Sequence, residues 1–324
     1  MRTLLLLLST ALALPAGLAY AQAQPYPNKP IRLIVGFPPG GGTDVVARII
    51  QPKLAEHLGQ PVVIENRPGA TGTVAAGMVA KSPADGYTLM MGHVSVNAIA
   101  PSLFPKLPYD VIRDFAPVTL TASVPHFVVV HPSLPVTSVK ELIAHSKAQP
   151  GKLSFPSAGN GSTPHLAGEM FKSMAGINLV HVPYKGTGQS MQDLLAGQHQ
   201  VAFDTLPASA PYVRAGRLRA LAVSSTKRLA EFPDVPTVAE AGVPGYQLAT
   251  WYGVFAPAGT PLAIVNRLHA EIARAMQAPE TRVRLGEIGV DDTVTRSPEE
   301  FAAIVRADTA RYAKVVKDAG LKID

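Results

Sequence analysis

Short runs of apolar and β-branched residues alternate along the chain with longer segments in which apolar residues recur every three to four positions. The short runs are typical of buried strands, and the longer segments are typical of amphipathic helices. The predicted strands are Ile31–Val35, Val62–Glu65, Tyr87–Gly92, Ala116–Leu120, Phe127–Val130, Leu153–Pro156, Leu179–Pro183, Val201–Asp204, Leu218–Val223 and Trp251–Phe255. The predicted helices are Asp44–Leu58, Val74–Lys81, Ser138–Ala148, Pro164–Ala175, Ser190–Ala196, Leu262–Met276 and Pro298–Ala319. Strands that alternate with helices over short loops predict an α/β fold with parallel, doubly wound sheets.

Glycine, proline and hydroxyl residues are concentrated in the turns that lead from predicted strands into predicted helices. The turns read GFPPGGGTD (36–44), NRPGATGTV (66–74), GHVSVN (92–97), SAGNGSTPHL (157–166), PYKGTG (183–188) and FDTLP (203–207). Ligands of open α/β sheets bind beyond the carboxyl ends of the strands, where helix N-termini present backbone N–H groups to anions. Two α/β lobes that face one another would bring the earlier and the later turns together in one cleft.

The N-terminus differs in character from the rest of the chain. It reads MRTLLLLLSTALALPAGLAYAQAQ, with one basic residue (Arg2), an apolar stretch from Leu4 to Leu14 and then small residues. This order is typical of a secretory signal peptide, and the apolar stretch is too short to span a bilayer comfortably. We therefore expect residues 1–23 to be a cleaved signal peptide and the mature chain to be exported to the periplasm. An uncleaved membrane anchor is the alternative.

The composition excludes several classes of function. The 324 residues include no cysteine, so disulfides, thiol catalysis and thiolate zinc sites are excluded. The net charge of +6 is scattered over the chain without a basic run, so we expect no nucleic-acid partner. A mildly basic surface modestly favours anionic small molecules.

Established catalytic motifs are missing from the sequence. No G-x-G-x-x-G fingerprint, P-loop, G-x-S-x-G elbow or H-E-x-x-H pair occurs. His165 and His181 are expected to pack and to form local hydrogen bonds, and no histidine pair has helix spacing suited to a metal. An exported α/β enzyme that acts on a carboxylate remains an alternative, and His93 with Asp204 is the only pairing that it could use.

The glycine-rich turns instead favour binding without catalysis. Glycines let the backbone approach a ligand closely, and successive N–H groups at a helix start bind an anion. In the turn at 157–166, the hydroxyls of Ser157, Ser162 and Thr163 and the amide of Asn160 add directional donors. Asp44 has two open interpretations: it stabilises the first turn of its own helix, or it contacts the ligand.

Long motifs in the sequence resemble those of one known family. They read YPNKPIRLIVGFPPGGGTDVVARIIQPKLAEHLGQPVVIENRPGATGTVAA, KSPADGYTLMMG, SAGNGSTPHLAGEMF, HVPYKG, LLAGQHQVAFDTLPA, RLRALAVSSTKR, FPDVPTVAEAGVPGY and WYGVFAPAGTP. The sequence resembles the periplasmic substrate-binding proteins of the tripartite tricarboxylate transporter type, also called the Bug family. The resemblance covers essentially the whole mature chain, in order.

This resemblance implies a fold and a function. The fold is two Rossmann-like lobes joined by a two-strand hinge, which is the type II periplasmic binding protein fold. Lobe 1 would comprise residues 24–123 and 252–324, and lobe 2 would comprise residues 124–251, with crossings near Val124 and Trp251. The chain would be a monomer that captures a small carboxylate-containing ligand and delivers it to the membrane permease subunits of a tripartite transporter. No catalytic residue, metal or cofactor is implied.

The resemblance also implies which residues contact the ligand. The turn after the first strand and the facing turn of lobe 2 would bind a carboxylate, and further residues would flank the distal part of the ligand. The implied contacts are Phe37, Gly41, Gly42, Thr43, Asp44, Ser157, Asn160, Gly161, Ser162, Thr163, Tyr184, Gly186 and Asp204, to which the unusual GHVSVN segment adds His93. The segment Thr187–Gln189 departs from many relatives and is expected to help set ligand identity.

The identity of the ligand stays open at this point. Amino acids, dicarboxylates, citrate-like acids and aromatic acids all fit the motifs, and Tyr184 and Asp204 would suit an ammonium or a hydroxyl group. The partner is also open, because such a receptor can serve a transporter or a sensor protein.

Overall fold

The computed structural model of the protein describes residues 26–104, 106–290, 294–318 and 320–321. Its strands are β1 (Ile31–Val35), β2 (Val62–Asn66), β3 (Thr88–His93), β4 (Phe115–Val130), β5 (Ser154–Ser157), β6 (Val180–Pro183), β7 (Val201–Thr205), β8 (Arg219–Val223) and β9 (Ala249–Pro257). Its helices are α1 (Gly42–Leu58), α2 (Thr73–Ala80), α3 (Ala100–Leu103), α4 (Val139–Ala148), α5 (Thr163–Ala175), α6 (Thr187–Leu195), α7 (Leu206–Arg214), α8 (Leu262–Gln277), α9 (Pro279–Glu287) and α10 (Pro298–Asp318). The predicted signal peptide, residues 1–23, lies outside the described residues.

One seven-stranded sheet extends through both lobes, and a separate two-stranded sheet lies in lobe 2. In lobe 1 the order is β2-β1-β3-β9-β4, with β1, β2 and β3 parallel. In lobe 2 the end of β4 pairs with both β7 and β8, and β5 and β6 form a parallel pair that packs beside β7. The carboxyl ends of β1, β3, β5 and β7 therefore lead into the glycine-rich turns that the sequence singled out.

The long strand β4 connects the two lobes. From Phe115 to Pro125 it pairs with β9, and from His126 to Val130 it pairs with β7. Since β9 begins at Ala249, opposite Pro125, two neighbouring strands carry the chain between the lobes. The two-lobed fold with a two-strand connection, which the family resemblance implied, is confirmed.

The prediction of parallel sheets is wrong for four strands. β9 is antiparallel to β3 and β4, and β7 and β8 are antiparallel to β4. The physical reason is the path of the chain: it leaves lobe 1 along β4 and returns along β9, so the two connecting strands must run in opposite directions.

The prediction of two separate strands at Ala116–Leu120 and Phe127–Val130 is also wrong, because both belong to β4. Prolines usually mark strand ends or irregular positions, and Pro125 lies between the two predicted strands. The structure instead accommodates Pro117 next to a shift in the register between β4 and β9.

Three helices and a π-helical turn at Ser95–Ile99 were not predicted. In α7, two prolines (Pro207 and Pro211) hide the helical pattern, and α9 is too polar to show an apolar period. The GHVSVN segment, which was predicted as a turn, leads directly from β3 into the π-helical turn.

Alternating residues of the strands pack into cores on both faces of each sheet. On β1, Leu33 packs toward α1 and α8, whereas Ile34 packs toward α2 and α10. On the distal part of β4, Phe127 faces α6 and α7, whereas Val128 faces the core that contains α5. Among the described residues, no helix has the length and apolar character needed to cross a bilayer.

Candidate functional site

A cavity of about 1010 Å³ lies between the two lobes. Lobe 1 contributes the turn after β1, the loop Pro68–Gly72, the end of β3 and Tyr252. Lobe 2 contributes the turn after β5, the segment Tyr184–Gln192 and the end of β7. Ten predicted contacts line this cavity: Phe37, Gly41, Gly42, Thr43, His93, Ser162, Thr163, Tyr184, Gly186 and Asp204. Four predicted contacts do not: Asp44, Ser157, Asn160 and Gly161.

Several helices begin at the wall of this cavity without a side-chain cap. The residues before α1, α2, α5, α6 and α7 all line the cavity, and none of them accepts a capping hydrogen bond with its side chain. The N–H groups of a first helical turn have no partner within the helix, and the helix dipole is positive there. The cavity is therefore suited to an anion, although its wall is mostly uncharged.

Asp44 supports the wall from behind. Its carboxylate accepts hydrogen bonds from Gly40 N (2.9 Å), Arg48 Nε (2.9 Å) and Asn66 Nδ2 (2.9 Å). Asn66 also donates to the carbonyl of Phe37 (3.0 Å), so both ends of the glycine-rich turn are held. Burial opposes ionisation of Asp44, but these donors outweigh it and keep its pKa below the usual range. These contacts favour the structural interpretation of Asp44, and Asp44 does not line the cavity.

A stacked pair of histidines supports the facing turn of lobe 2. The rings of His165 and His181 lie 3.9 Å apart between centroids. His165 Nδ1 accepts the N–H of Gly161 (3.1 Å), and His181 Nε2 pairs with Ser157 Oγ (2.7 Å). Burial lowers the pKa of His165 to about 4 and that of His181 to about 3, so both are neutral at pH 7. The expectation of packing and local hydrogen bonds is confirmed for both.

A buried chain of hydrogen bonds links the cavity to the connecting strands. Thr163, at the start of α5, lines the cavity, and its Oγ1 accepts a hydrogen bond from Thr250 Oγ1 on β9 (2.7 Å). Thr250 Oγ1 also lies 2.7 Å from His126 Nε2 on β4. The position of the α5 N-terminus is therefore fixed relative to both strands that connect the lobes.

His93 provides a neutral ring at the wall of lobe 1. Its Nδ1 accepts the N–H of Ser95 (3.0 Å), so the ring proton resides on Nε2. Burial, reinforced by His126, lowers the pKa of His93 to about 3. A ring that is protonated on Nε2 and so weakly basic is unsuited to act as a general base near neutral pH.

Tyr184 and Asp204 differ in how their polar groups are used. The Tyr184 hydroxyl donates to Asp193 Oδ2 (2.6 Å) and lies 2.8 Å from His199 Nε2, so its ring rather than its hydroxyl is free for a ligand. Burial and Asp193 raise the pKa of Tyr184 to about 12. Asp204 is 6% exposed, and burial raises the pKa of its carboxyl group to about 6.

The sequence placed the turns that contain Ser95 and the loop Pro68–Gly72 near the cleft without naming them as ligand contacts, and it did not reveal Tyr252 as a cavity residue. The Tyr252 hydroxyl lies against Gly42, and a Cβ at that glycine would come within 2.4 Å of it. No periodicity marks Tyr252, because it lies within an otherwise apolar strand. In the loop, Ala70 and Thr71 have φ values of 44° and 55°. Non-glycine residues rarely adopt this left-handed conformation, so the sequence gives no sign of it.

Two facing lobes around a cavity with uncapped helix N-termini define a solute-binding protein of the periplasmic type. The family model described as "Tripartite tricarboxylate transporter family receptor" matches residues 46–321, so the chain belongs to this family. Its members are receptors and not enzymes, which sets aside the alternative of a reaction at His93 and Asp204.

Solved structures agree with this assignment. A structure of Rpa4515 from R. palustris with adipate is 42% identical, with a TM-score of 0.87, and covers 92% of this chain and 100% of that chain. The periplasmic binding protein BugD is 34% identical, with a TM-score of 0.84 over 92% of this chain and 100% of its own. MatC from Rhodopseudomonas palustris with bound malate is 36% identical, with a TM-score of 0.83 over 90% of this chain and 100% of its own. The chain is similar to these proteins over nearly its whole described length.

Proposed function

We propose that the chain captures a C4 to C6 dicarboxylate in the cavity between its lobes and delivers it to the permease subunits of a tripartite transporter. The observation that carries the proposal is the set of uncapped helix N-termini that line one cavity. These N–H groups can hold carboxylates without a buried arginine or lysine. Rpa4515 with adipate and MatC with malate support the ligand class, since both ligands carry two carboxylates.

The predicted contacts divide into direct and supporting residues. Phe37, Gly41, Gly42 and Thr43 would bind one carboxylate from lobe 1, and Ser162 and Thr163 would bind from lobe 2. Tyr184, Gly186, His93 and Asp204 would contact the remainder of the ligand. Asp44, Ser157 and Gly161 would act from behind the wall by holding the two turns in place, and the backbone carbonyl of Asn160 would contact Thr71 of lobe 1.

The lobes would close on the ligand by bending at the connecting strands. We assign residues 24–123 and 252–324 to lobe 1 and residues 124–251 to lobe 2. The pairing of β4 supports this division, because β4 pairs with β9 up to Pro125 and with β7 from His126. One contact favours the closed form: Thr71 Oγ1 donates to the backbone carbonyl of Asn160 (3.1 Å) and so bridges the two lobes. A membrane partner would then recognise the closed form.

The proposal can be tested by thermal unfolding of the ligand-free protein against malate, glutarate and adipate, each beside its neutral diamide. Saturation at one hundred times the dissociation constant stabilises by about 2.7 kcal/mol, which corresponds to a shift of several degrees. We expect at least one dicarboxylate to raise the midpoint while its diamide leaves it unchanged. Equal effects of acid and diamide, or no effect across the panel, would contradict the proposal.

Export and partners complete the proposed function. We expect residues 1–23 to be removed on export, so intact mass measured on protein from the periplasmic fraction should match a chain that begins at or close to Gln24. Light scattering should give a monomer. Co-purification with permease subunits would favour transport, whereas co-purification with a sensor protein would favour the signalling alternative.

A further inference from the structure

One carboxylate lies inside a cavity that is otherwise built for anions. Asp204 is the last residue but one of β7, is 6% exposed and lines the cavity together with the uncapped helix N-termini. The N–H of Thr205 donates to its Oδ1 (2.7 Å), the Thr205 side chain also hydrogen-bonds to the carboxylate, and the carboxyl group lines the cavity where a ligand would bind. A receptor for acids thus places a potential negative charge beside the binding position of its ligand.

No cation offsets Asp204 among the described residues. None of the ion pairs there includes it, and Lys185, which also lines the cavity, is exposed at the rim. The other titratable groups around it are Tyr252 on β9, His126 on β4 and His93 at the end of β3. Both histidines are neutral because burial disfavours their charged forms, and burial likewise keeps the Tyr252 phenol protonated.

A second negative charge makes ionised Asp204 less favourable still. A carboxylate in a cavity of low dielectric responds to a nearby like charge by binding a proton. The free carboxyl group is already shifted toward the neutral form, with a pKa near 6. An anionic ligand that carries no positive charge raises the pKa of the Asp204 carboxyl group further.

We propose that a dicarboxylate binds together with one proton, which Asp204 takes up from solvent, so that its carboxyl O–H donates a hydrogen bond to a ligand oxygen. The inference rests on the proposed function and narrows its ligand class to acids without an ammonium group. An amino acid would instead place its ammonium beside ionised Asp204 and would need no proton. The site therefore distinguishes glutarate from glutamate by proton linkage.

The test is isothermal titration calorimetry of glutarate and adipate in phosphate and in Tris at pH 7.5. The difference in heat between the two buffers gives the number of protons exchanged. We expect close to one proton taken up per ligand, and a dissociation constant that rises by up to about tenfold per pH unit between pH 6.5 and 8. In Asp204→Asn, whose amide oxygen can still accept the Thr205 N–H, uptake should be absent and the affinity should vary less than twofold over this range.

Each outcome separates this inference from the broader proposal. Binding of glutarate without proton uptake, or with proton release, overturns the role of Asp204 and leaves the receptor function intact. Tighter binding of glutamate than of glutarate overturns the ligand class inferred here. No heat with any dicarboxylate contradicts the proposed function itself. If Asp204→Asn does not fold, the carboxyl carbon NMR signals of the wild-type protein decide: a buried aspartate should titrate near pH 6 in the free protein and above pH 8 with glutarate.

Discussion

Replacement of Tyr252 by phenylalanine isolates a single hydroxyl group at the anion-binding end of the cavity. Tyr252 is 3% exposed, its hydroxyl lies against Gly42 at the start of α1, and its ring packs edge-on against His93 at 5.3 Å. Burial raises the pKa of Tyr252 well above its ordinary value, so the hydroxyl is protonated at pH 7 and can donate. In the described part of the chain this hydroxyl has no hydrogen-bond partner, which leaves it available to a ligand carboxylate.

The size of the effect follows from the bond that would be lost. A hydrogen bond to a charged group contributes about 1.5–3 kcal/mol, which corresponds to a loss of about 10- to 150-fold in affinity. The fold should be almost unaffected, because phenylalanine keeps the ring contact and no intramolecular hydrogen bond is removed. We expect the thermal midpoint of the ligand-free variant to stay within about 1–2 °C of wild type.

Tyr184→Phe provides the matched control. Both tyrosines line the cavity, but the Tyr184 hydroxyl is occupied by Asp193 and His199. Its removal should lower stability by about 1–2 kcal/mol while changing affinity by less than about threefold. Calorimetry with adipate and thermal unfolding of both variants supply the two readouts. Affinity of Tyr252→Phe within twofold of wild type, or an equal loss in Tyr184→Phe, would refute the reasoning.

Three further predictions concern closure, packing and pH. Thr71→Val removes the hydroxyl that bridges to the Asn160 carbonyl, so stopped-flow dissociation of a bound dicarboxylate should accelerate by about two- to tenfold, whereas Thr71→Ser should not differ from wild type. Gly253→Ala places a Cβ 2.2 Å from the Phe301 ring and 2.9 Å from a backbone oxygen, so chemical denaturation should show a loss of more than about 2 kcal/mol. His165 has a pKa of about 4 when folded against 6.5 when unfolded, so the unfolded chain binds more protons between these values and stability falls as pH falls through this window. His165→Asn should reduce that slope by up to about 1.4 kcal/mol per pH unit, and an unchanged slope would contradict a neutral buried ring.

Most of the local architecture could be predicted from the sequence because the apolar pattern is regular. The predicted boundaries of β1 are identical to those observed, and the helix predicted from Ser138 begins there, with the Ser138 side chain accepting the N–H of Glu141 (3.2 Å). The function of the turn GFPPGGGTD could be predicted from its own residues, because glycines between a strand and a helix leave N–H groups open to an anion. The Bug-type motifs then predicted the two-lobed fold and the receptor function.

The sequence could not determine which polar groups face the ligand. Asp44 lies in the first turn of α1 and Asp204 lies near the end of β7. Asn66, Arg48 and Gly40 donate hydrogen bonds to the first carboxylate, whereas no group of opposite charge pairs with the second among the described residues. Gly40 and Arg48 lie four residues from Asp44, but Asn66 lies 22 residues away, and the absence of a cation beside Asp204 depends on the packing of the lobes, so the local pattern alone could not separate the two aspartates.

The same limit explains Tyr252, which ordinary strand patterning assigns to the core. Only the tertiary structure decided that the strand carrying it passes between the lobes, beside the start of α1 and facing the cavity. The sequence by itself determined the strands, the helix starts and the chemistry of their turns, because those depend on neighbouring residues. Long-range packing decided which donors converge and which carboxylate remains unpaired, because burial and partners exist only in the assembled lobes.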